Sequence, residues 1–179
     1  NLIPCGIPVP GSAFVFRVQG SGSPLVLGYT RFVRVLLLAT YELGRQPFGL
    51  PPPPAWLRRE GFDVAVADTS RTPVSDDQLA RISFLGIHLQ MHTATRLAGP
   101  LIARAKRINP SAHICCYGLY APLNETWLRE MGVDSVLGGE FEEALVEVAS
   151  ALKAGRAGKA GRVSGNESIA RLAFIQPDR

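Results

Sequence analysis

Apolar and polar residues follow one another in blocks along this chain, and the blocks have the lengths of strands and helices. Residues 33–39 are an almost continuous run of β-branched residues and leucines, too short for a helix and apolar on both faces. Such a run is typical of a central strand in a parallel sheet. A polar, glycine-bearing segment follows at residues 40–49. We expect this segment to leave the carboxyl end of the strand, where open α/β sheets bind their ligands.

Four further blocks have the length and pattern of strands. They are short apolar or alternating runs with turn-forming residues near their ends. We predict strands over residues 63–68, 83–90, 113–117 and 135–137.

Amphipathic segments separate the strands and predict the helices. The longest covers residues 93–108, and its apolar face is predicted to consist of Leu97, Leu101, Ile102, Ala105 and Ile108. The fourth helix is predicted to begin at a cap formed by Asn124. Strand and helix alternate five times, so the crossover rule predicts a parallel sheet covered on both faces. The other helices are predicted over about residues 53–60, 76–82, 124–131 and 142–152.

Length and composition predict one α/β domain with tails, because 179 residues of which 46% are hydrophobic can bury one proper core. Residues 1–32, rich in proline and glycine, are expected to be a weakly ordered N-terminal extension. The domain is predicted at residues 33–152. Residues 153–179 begin with a repeating mixture of lysine, arginine, alanine and glycine, which predicts a flexible linker toward a further domain.

The basic net charge does not indicate a nucleic-acid-binding protein. The formal charge is +4, but residues 33–152 carry 11 basic and 13 acidic residues, a net charge of −2. The excess of lysine and arginine therefore lies in the two tails. No basic stripe interleaved with aromatic residues is found, so we expect no nucleic-acid partner.

The three cysteines, Cys5, Cys115 and Cys116, lack the spacing of a zinc site or a cluster. Neighbouring cysteines in a strand point to opposite faces, so we expect reduced core cysteines in a cytoplasmic protein. The sequence has no signal peptide and no apolar run of about 18 residues. We therefore expect no membrane partner.

The loops at the strand ends discriminate between classes of parallel α/β domain. A receiver domain needs an acidic pair after the first strand, an aspartate after the third and a lysine after the fifth. These places read Thr-Tyr-Glu at 40–42, Gln-Met-His at 90–92 and Gly-Gly-Glu at 138–140. A flavodoxin or dinucleotide loop would place several glycines and hydroxyls at a helix entry to bind phosphate. The long first loop, with its proline run, does not fit that pattern.

The double glycine Gly138-Gly139 meets a demand of cobalamin. The nucleotide tail of this cofactor must slide between the sheet and its helices, so side chains must be absent beside the last strand. Two glycines at the end of that strand would let the backbone approach the ligand closely. The alternative interpretation is an ordinary tight turn before a helix.

A string of short motifs resembles one protein family. The motifs resemble the N-terminal cobalamin-binding domain of cobalamin-dependent radical S-adenosylmethionine (radical SAM) enzymes, most closely the group whose C-terminal tail carries a Cys-Cys-Ala-Glu-Pro-like or selenocysteine-containing motif. The latter likeness rests on residues 40–44, 91–95 and 117–121. The motifs are Val-Leu-Leu-Leu at 35–38, Pro-Phe-Gly-Leu at 47–50, Ala-Trp-Leu-Arg at 55–58, Gly-Phe-Asp-Val at 61–64, Asp68, Asn109-Pro110, Tyr117-Gly118 and Val-Leu-Gly-Gly-Glu-Phe-Glu at 136–142.

The resemblance covers residues 33–152 and implies a flavodoxin-like, Rossmann-like doubly wound sheet of five parallel strands in the order 2-1-3-4-5, with cobalamin across its carboxyl edge. An iron-sulfur cluster and S-adenosylmethionine would belong to a radical SAM domain of the same full-length protein, beyond residue 179. That domain needs a Cys-x-x-x-Cys-x-x-Cys cradle, which these three cysteines cannot supply, so we assign no catalytic residue. The alternative function is a cofactor-free, flavodoxin-like domain that mediates protein contacts.

In the arrangement that the resemblance implies, four loops would line the cofactor. Each follows the carboxyl end of a strand. The cofactor-binding residues would be Thr40, Tyr41, Glu42, Leu43, Gly44, Gln90, Met91, His92, Thr93, Tyr117, Gly118, Leu119, Tyr120, Gly138, Gly139, Glu140 and Phe141.

The cobalt is expected to have no nitrogen ligand from the protein. The Asp-x-His-x-x-Gly loop of methionine-synthase-like domains is absent, and the first loop holds no imidazole, so water or an apolar side chain such as Leu43 would lie below the metal. His92 is a minor candidate for a ligand, and His88 and His113 are expected to be structural. Of Tyr117 and Tyr120, in the loop after the fourth strand, we expect Tyr120 to point outward.

Overall fold

Strand β1 (Arg34–Ala39) organises the fold of residues 33–156, the part of the chain that the computed structural model describes. Every residue of β1 after Arg34 is buried. Alternate side chains enter opposite core layers, as those of Val35 and Leu36 do. This confirms the prediction of a central strand that is apolar on both faces, since each face has its own layer of helices to pack against.

The described chain contains five strands and six helices. All strands pair in parallel in the order β2-β1-β3-β4-β5. The fold is thus flavodoxin-like, with the predicted strand order. The elements after β1 are α1 (Pro52–Arg59), β2 (Asp63–Asp68), α2 (Asp76–Arg81), β3 (Phe84–His88), α3 (His92–Ile108), β4 (His113–Tyr117), α4 (Tyr120–Leu123), α5 (Glu125–Glu130), β5 (Ser135–Leu137) and α6 (Glu142–Lys153).

Helices cover the sheet on both faces. Leu57 of α1 and Leu145 of α6 pack in one core layer, which also contains the buried aromatic residues Phe84 and Tyr117. Helices α2, α3, α4 and α5 contribute to the opposite layer, where Ile102 of α3 is fully buried. Right-handed crossovers produce these two layers because the chain moves from β1 to β2 in one direction across the sheet and then from β2 to β3, β4 and β5 in the other.

The buried face of α3 agrees with the predicted one except at Leu97. Ile102 and Ala105 are buried, and Leu101 and Ile108 pack against the same core layer. Leu97 was expected to face the core but is 49% exposed. Ala94 and Ala98 are buried in the same helix, so the buried face is rotated away from Leu97.

The segment between β4 and β5 also departs from the prediction. A single helix over residues 124–131 was expected, whereas the structure has the short helix α4 followed by α5. Asn124 does not cap α5 with its side chain. Its amide nitrogen instead donates to the carbonyl oxygen of Tyr120 at 2.7 Å, so it closes α4. The sequence predicts a loop at residues 117–120, which contain Gly118, whereas α4 begins at Tyr120.

Other boundaries agree to within a few residues, the largest difference being that β3 spans five residues rather than the predicted 83–90. The predicted N-terminal extension, and the predicted linker from residue 157 onward, lie outside the described residues. Within residues 33–156, no helix has both the length and the apolar character needed to cross a membrane.

Asn109 joins the end of α3 to the end of α2. Its side-chain amide nitrogen lies 2.9 Å from the carbonyl oxygen of Ile82, 3.1 Å from that of Leu79 and 3.3 Å from that of Ala80. These are carbonyl groups at the C-terminal end of α2, which the helix itself leaves unpaired. One side chain thus supplies the donor for them.

Replacing Asn109 by alanine should lower the free energy of unfolding by about 1–3 kcal/mol, because several part-buried carbonyl groups lose their donor. Urea denaturation at neutral pH measures the loss. Asn124→Ala is the matched control, since that amide donates to one carbonyl oxygen only, and it should have the smaller effect. Equal losses in the two variants would contradict this role for Asn109.

Candidate functional site

The loop after β1 begins with a tight turn at the carboxyl edge of the sheet. The backbone N–H of Arg45 donates to the carbonyl oxygen of Glu42 at 2.8 Å. The two central residues, Leu43 and Gly44, have positive φ values of 50° and 72°. Glycine adopts such values freely, but leucine rarely does. The side chain of Leu43 is nevertheless 67% exposed, so the turn holds an exposed leucine in an unfavourable backbone conformation.

Thr40 anchors the start of this loop to α3. It is buried, and its hydroxyl donates to the carbonyl oxygen of Ala94 at 2.8 Å, in the first turn of the helix. On the other side of β1, Thr69 donates to the carbonyl oxygen of Ala39 through its backbone N–H at 2.9 Å and its hydroxyl at 3.1 Å. The ends of β1, β2 and α3 are therefore fixed relative to one another.

Glu42 carries a buried carboxyl group at this edge. Its Oε2 atom is enclosed without a hydrogen-bond partner among the described residues. Burial raises the pKa of Glu42, and the negative charge of Asp68 raises it further. Both effects act against the charged carboxylate. The group is therefore an unfavourable feature that the fold retains beside the exposed Leu43.

His88 forms the floor between the loops that follow β1 and β4. It is the last residue of β3 and only 4% exposed. A Cβ atom on Gly49 would overlap the Cε1 and Nε2 atoms of the ring, and one on Gly118 would lie 3.0 Å from Cδ2. Both loops can therefore approach the imidazole only because these two residues have no side chain. Gly49, His88 and Gly118 are thus in close contact at the carboxyl edge, and we call the surface over this contact the crevice.

Two aromatic rings hold the imidazole of His88 in place. Its centroid lies 5.3 Å from that of Tyr117 and 5.9 Å from that of Phe141. Burial lowers the pKa of His88 to about 4, so the ring is neutral at neutral pH. This packing agrees with the predicted structural role. The position of His88 in the crevice was not predicted, although its place at the end of an apolar strand was a usable signal.

Large apolar side chains lie exposed on both sides of the crevice. Phe48, which precedes Gly49, is 73% exposed, and Leu119, which follows Gly118, is 69% exposed. Each is the chain neighbour of a glycine that packs on the imidazole of His88, so both belong to the loops that cover that ring. Leu119 was among the predicted site residues, whereas Phe48 was not, although it lies in the Pro-Phe-Gly-Leu motif at residues 47–50.

Of the two tyrosines at residues 117–120, Tyr120 is not placed as predicted. Tyr117 is fully buried under the edge, where it cannot meet a ligand at the surface, and burial raises its pKa. Its hydroxyl has no hydrogen-bond partner among the described residues. Tyr120 was expected to point outward but is half-buried and packs on the core. The start of α4 at Tyr120 turns its ring back over the sheet.

The double glycine is explained by local packing and by a turn. A Cβ atom on Gly138 would overlap Cγ of Pro122, so α4 already occupies the space that the missing side chain leaves. Gly139 has φ 63°, and a Cβ there would meet nothing within 4 Å. These observations disagree with the expected slot for a nucleotide tail and favour the alternative interpretation, a tight turn before α6.

The remaining predicted site residues lie at the same edge. Gln90 and Met91 are half-buried, while His92 and Thr93 are exposed at the start of α3. Tyr41 is half-buried and Glu140 is exposed. In the part of the chain that the structure describes, no three histidine, cysteine, aspartate or glutamate side chains are grouped so that they could hold a metal ion.

Comparison with known proteins found no matching family model and no matching curated protein. Among solved structures, the chain is similar to a response regulator protein from Burkholderia pseudomallei, in a crystal structure with a phosphorylated aspartic acid, calcium ion and citrate. The two are 20% identical, with a TM-score of 0.45, and the match covers 70% of this chain and 73% of that one. A likeness of this size indicates nothing about what this chain binds.

The buried imidazole makes stability depend on pH. The pKa of His88 is about 4 in the folded protein, against 6.5 ordinarily. The unfolded chain therefore binds the proton more readily, so the free energy of unfolding is highest above pH 6.5 and falls as the pH drops toward 4. The full loss amounts to about 3 kcal/mol. His88→Gln should flatten this part of the stability profile, measured by urea denaturation at a series of pH values. Burial also lowers the pKa of His113, so the difference between parent and variant isolates His88.

His92→Gln is the control for that measurement, because it removes an exposed imidazole at the same edge. This variant should retain the slope of the parent. An unchanged slope in His88→Gln would show that the ring is not held in its neutral form by the fold.

Glu42→Gln should stabilise the protein at pH 7, by about 1 kcal/mol or more, because a buried carboxylate without a partner is replaced by a neutral amide. Because the pKa of Glu42 is raised in the folded protein, ionising this carboxyl group destabilises the fold. That destabilisation is absent below the ordinary pKa of 4.5 and grows as the pH rises. The gain should therefore shrink toward pH 4. Thermal unfolding at pH 4 and pH 7 tests this, with the exposed Glu140→Gln as control. A destabilised Glu42→Gln at pH 7 would show that the carboxylate has a favourable partner.

Proposed function

We propose that this domain binds a corrinoid, cobalamin or a close relative, on the carboxyl edge of its sheet, as the cobalamin-binding module of a radical SAM enzyme. Its iron-sulfur cluster and S-adenosylmethionine would be bound by another domain of the same full-length protein. The support consists of the motif string at residues 35–142, the five-stranded parallel sheet and the apolar surface at its carboxyl edge. In sheets of this order, ligands bind at that edge beside β1 and β3.

The exposed surface suits a flat, largely apolar macrocycle. Leu43, Phe48 and Leu119 are each about two-thirds exposed or more, and all three belong to loops that leave the carboxyl edge. Exposed large apolar residues gathered at one edge mark a binding surface. The neutral ring of His88 adds no positive charge below them. When bound there, a corrinoid would supply cobalt-centred alkyl-transfer or rearrangement chemistry.

Leu43 is the observation that carries this proposal. An exposed leucine at φ 50° is unfavourable for two reasons, since the backbone is strained and the apolar side chain faces water. Asparagine or glycine would fit the turn better. Strained residues of this kind cluster at functional sites, where a ligand contact justifies them. We infer that Leu43 packs against the face of the bound corrin ring.

The metal would then have no imidazole from the first loop. Residues 40–46 contain none, and the nearest ring to the crevice, that of His88, is enclosed by two glycines and two aromatic side chains. His92 lies exposed at the start of α3. The proposal therefore keeps the expectation that an apolar side chain or water lies below the cobalt.

Replacing Leu43 by asparagine should change stability and affinity in opposite directions. Asparagine tolerates positive φ, so the free energy of unfolding should stay equal or rise by up to about 1 kcal/mol. Affinity for hydroxocobalamin, expected in the micromolar range for the isolated domain, should fall about tenfold. Spectrophotometric titration and urea denaturation measure the two effects.

Leu97→Asn is the control, because Leu97 is an exposed leucine on α3 with ordinary helical backbone. It should leave the affinity unchanged. Equal affinity in Leu43→Asn and the parent would remove Leu43 from the site. Failure of the parent to bind hydroxocobalamin at concentrations up to about 1 mM would contradict the proposed function itself.

A protein-interaction module is the second candidate, and one observation favours it. An open groove of about 550 Å³ lies beside the edge strand β2. Because β2 is an edge strand, an extended peptide could pair with it beside this groove, which a macrocycle cannot do. The groove is rich in proline and also carries Arg58, Asp68 and Arg71. A partner captured by this groove would be unaffected by Leu43→Asn and lost on Val66→Asp, which distinguishes the two candidates. The walls include Pro47, Leu50, Pro51, Pro54 and Val66.

A further inference from the structure

We propose that the site recognises the corrin ring alone and leaves the nucleotide tail of the cofactor outside the sheet. The chain should then bind cobinamide, which lacks that tail, as tightly as it binds cobalamin. This inference rests on the proposed function and specifies its ligand class. It reverses the expectation that Gly138 and Gly139 open a slot for the tail.

The space beside Gly138 is filled by the protein itself. A tail that enters the domain beside the last strand must pass between the sheet and the helices on one of its two faces. On the face covered by α4, the ring of Pro122 fills the position of the missing side chain: a Cβ on Gly138 would overlap its Cγ atom and lie 3.4 Å from Cδ. The glycine is therefore used to admit a side chain of the protein itself.

The opposite face of the sheet, which α6 covers, is filled by aromatic rings. The rings of His88, Tyr117 and Phe141 pack together there, with the centroids of Tyr117 and Phe141 4.8 Å apart. Tyr117 is fully buried and His88 almost so. A benzimidazole ring placed between these residues would have to displace at least one of them from a close-packed interior.

Gly139 differs from Gly138, because the position of its missing side chain is empty. Nothing lies within 4 Å of the position of its Cβ, and its φ of 63° is that of a turn glycine. Gly139 itself is exposed, so the free space lies on the solvent side of the turn. It offers no walls that would enclose a nucleotide. With both faces beside β5 filled, the tail has no entry next to the last strand without rearrangement, and the open groove beside β2 lies at the other end of the sheet.

One feature of the cluster could instead favour entry of the tail. The hydroxyl of Tyr117 is enclosed without a hydrogen-bond partner, and a polar tail could supply one. Tyr117→Phe decides between the two possibilities, because phenylalanine keeps the ring packing and removes only the hydroxyl. If the tail stays outside, this variant changes the affinity for neither ligand.

The experiment is a binding titration of the full chain, as the parent and as Tyr117→Phe. Each protein is titrated with aquacobalamin and with diaquacobinamide, and binding is monitored by absorbance and by calorimetry. We expect dissociation constants for the two ligands that agree within about threefold in both proteins. We also expect that α-ribazole, the free nucleoside of the tail, does not compete.

Two other results would overturn the inference. Cobalamin binding more than about tenfold tighter than cobinamide, with part of that advantage lost in Tyr117→Phe, would show that the tail enters the aromatic cluster. That result would leave the proposed function intact. Binding of neither corrinoid would instead contradict the proposed function, and this inference with it.

Discussion

The packing of one imidazole between two glycines shapes the carboxyl edge of this protein. His88 ends the central strand β3, and the loops after β1 and β4 close over its ring because Gly49 and Gly118 have no side chains. Tyr117 and Phe141 support the ring from below. The interior beneath the edge is consequently filled, and Phe48 and Leu119, each next to one of the glycines, are exposed. A ligand over His88 must therefore bind on the surface of these loops rather than beneath them.

The two edges of the sheet differ in how well their polar groups are satisfied. At the amino edge, His113 Nε2 lies 2.8 Å from Ser135 Oγ, and Asp134 accepts from Lys106 and from the backbone N–H of Ile114, both at 2.8 Å. At the carboxyl edge, Glu42 and Tyr117 each keep an enclosed polar atom without a partner among the described residues. Local unfavourable features of this kind are expected where a protein binds something, and less so where it only folds.

Burial shapes the electrostatics of the carboxyl edge. It keeps His88 neutral at neutral pH, so the imidazole supplies no positive charge there, and it raises the pKa of Glu42, as does the negative charge of Asp68. A site for phosphate would instead need helix N-termini with glycine-rich loops or well-placed cations. Leu43, Phe48 and Leu119, which are exposed at this edge, are instead apolar.

The sequence by itself determined the elements of the fold, because burial on one or two faces imposes a period on each strand and helix. The run at residues 33–39, the alternation of strands with helices and the crossover rule were sufficient for a parallel sheet, and the family resemblance supplied the strand order. The edge that carries the candidate site followed from the same reasoning, since loops after parallel strands meet at one edge. Tertiary structure decided which side chains at that edge are available. Leu97 faces solvent because α3 buries the face that carries Ala94 and Ala98, Tyr117 is buried because β4 directs it under α6, and Gly138 has no side chain because Pro122 fills that space. These outcomes depend on contacts between residues distant along the chain, which no local pattern of residues contains.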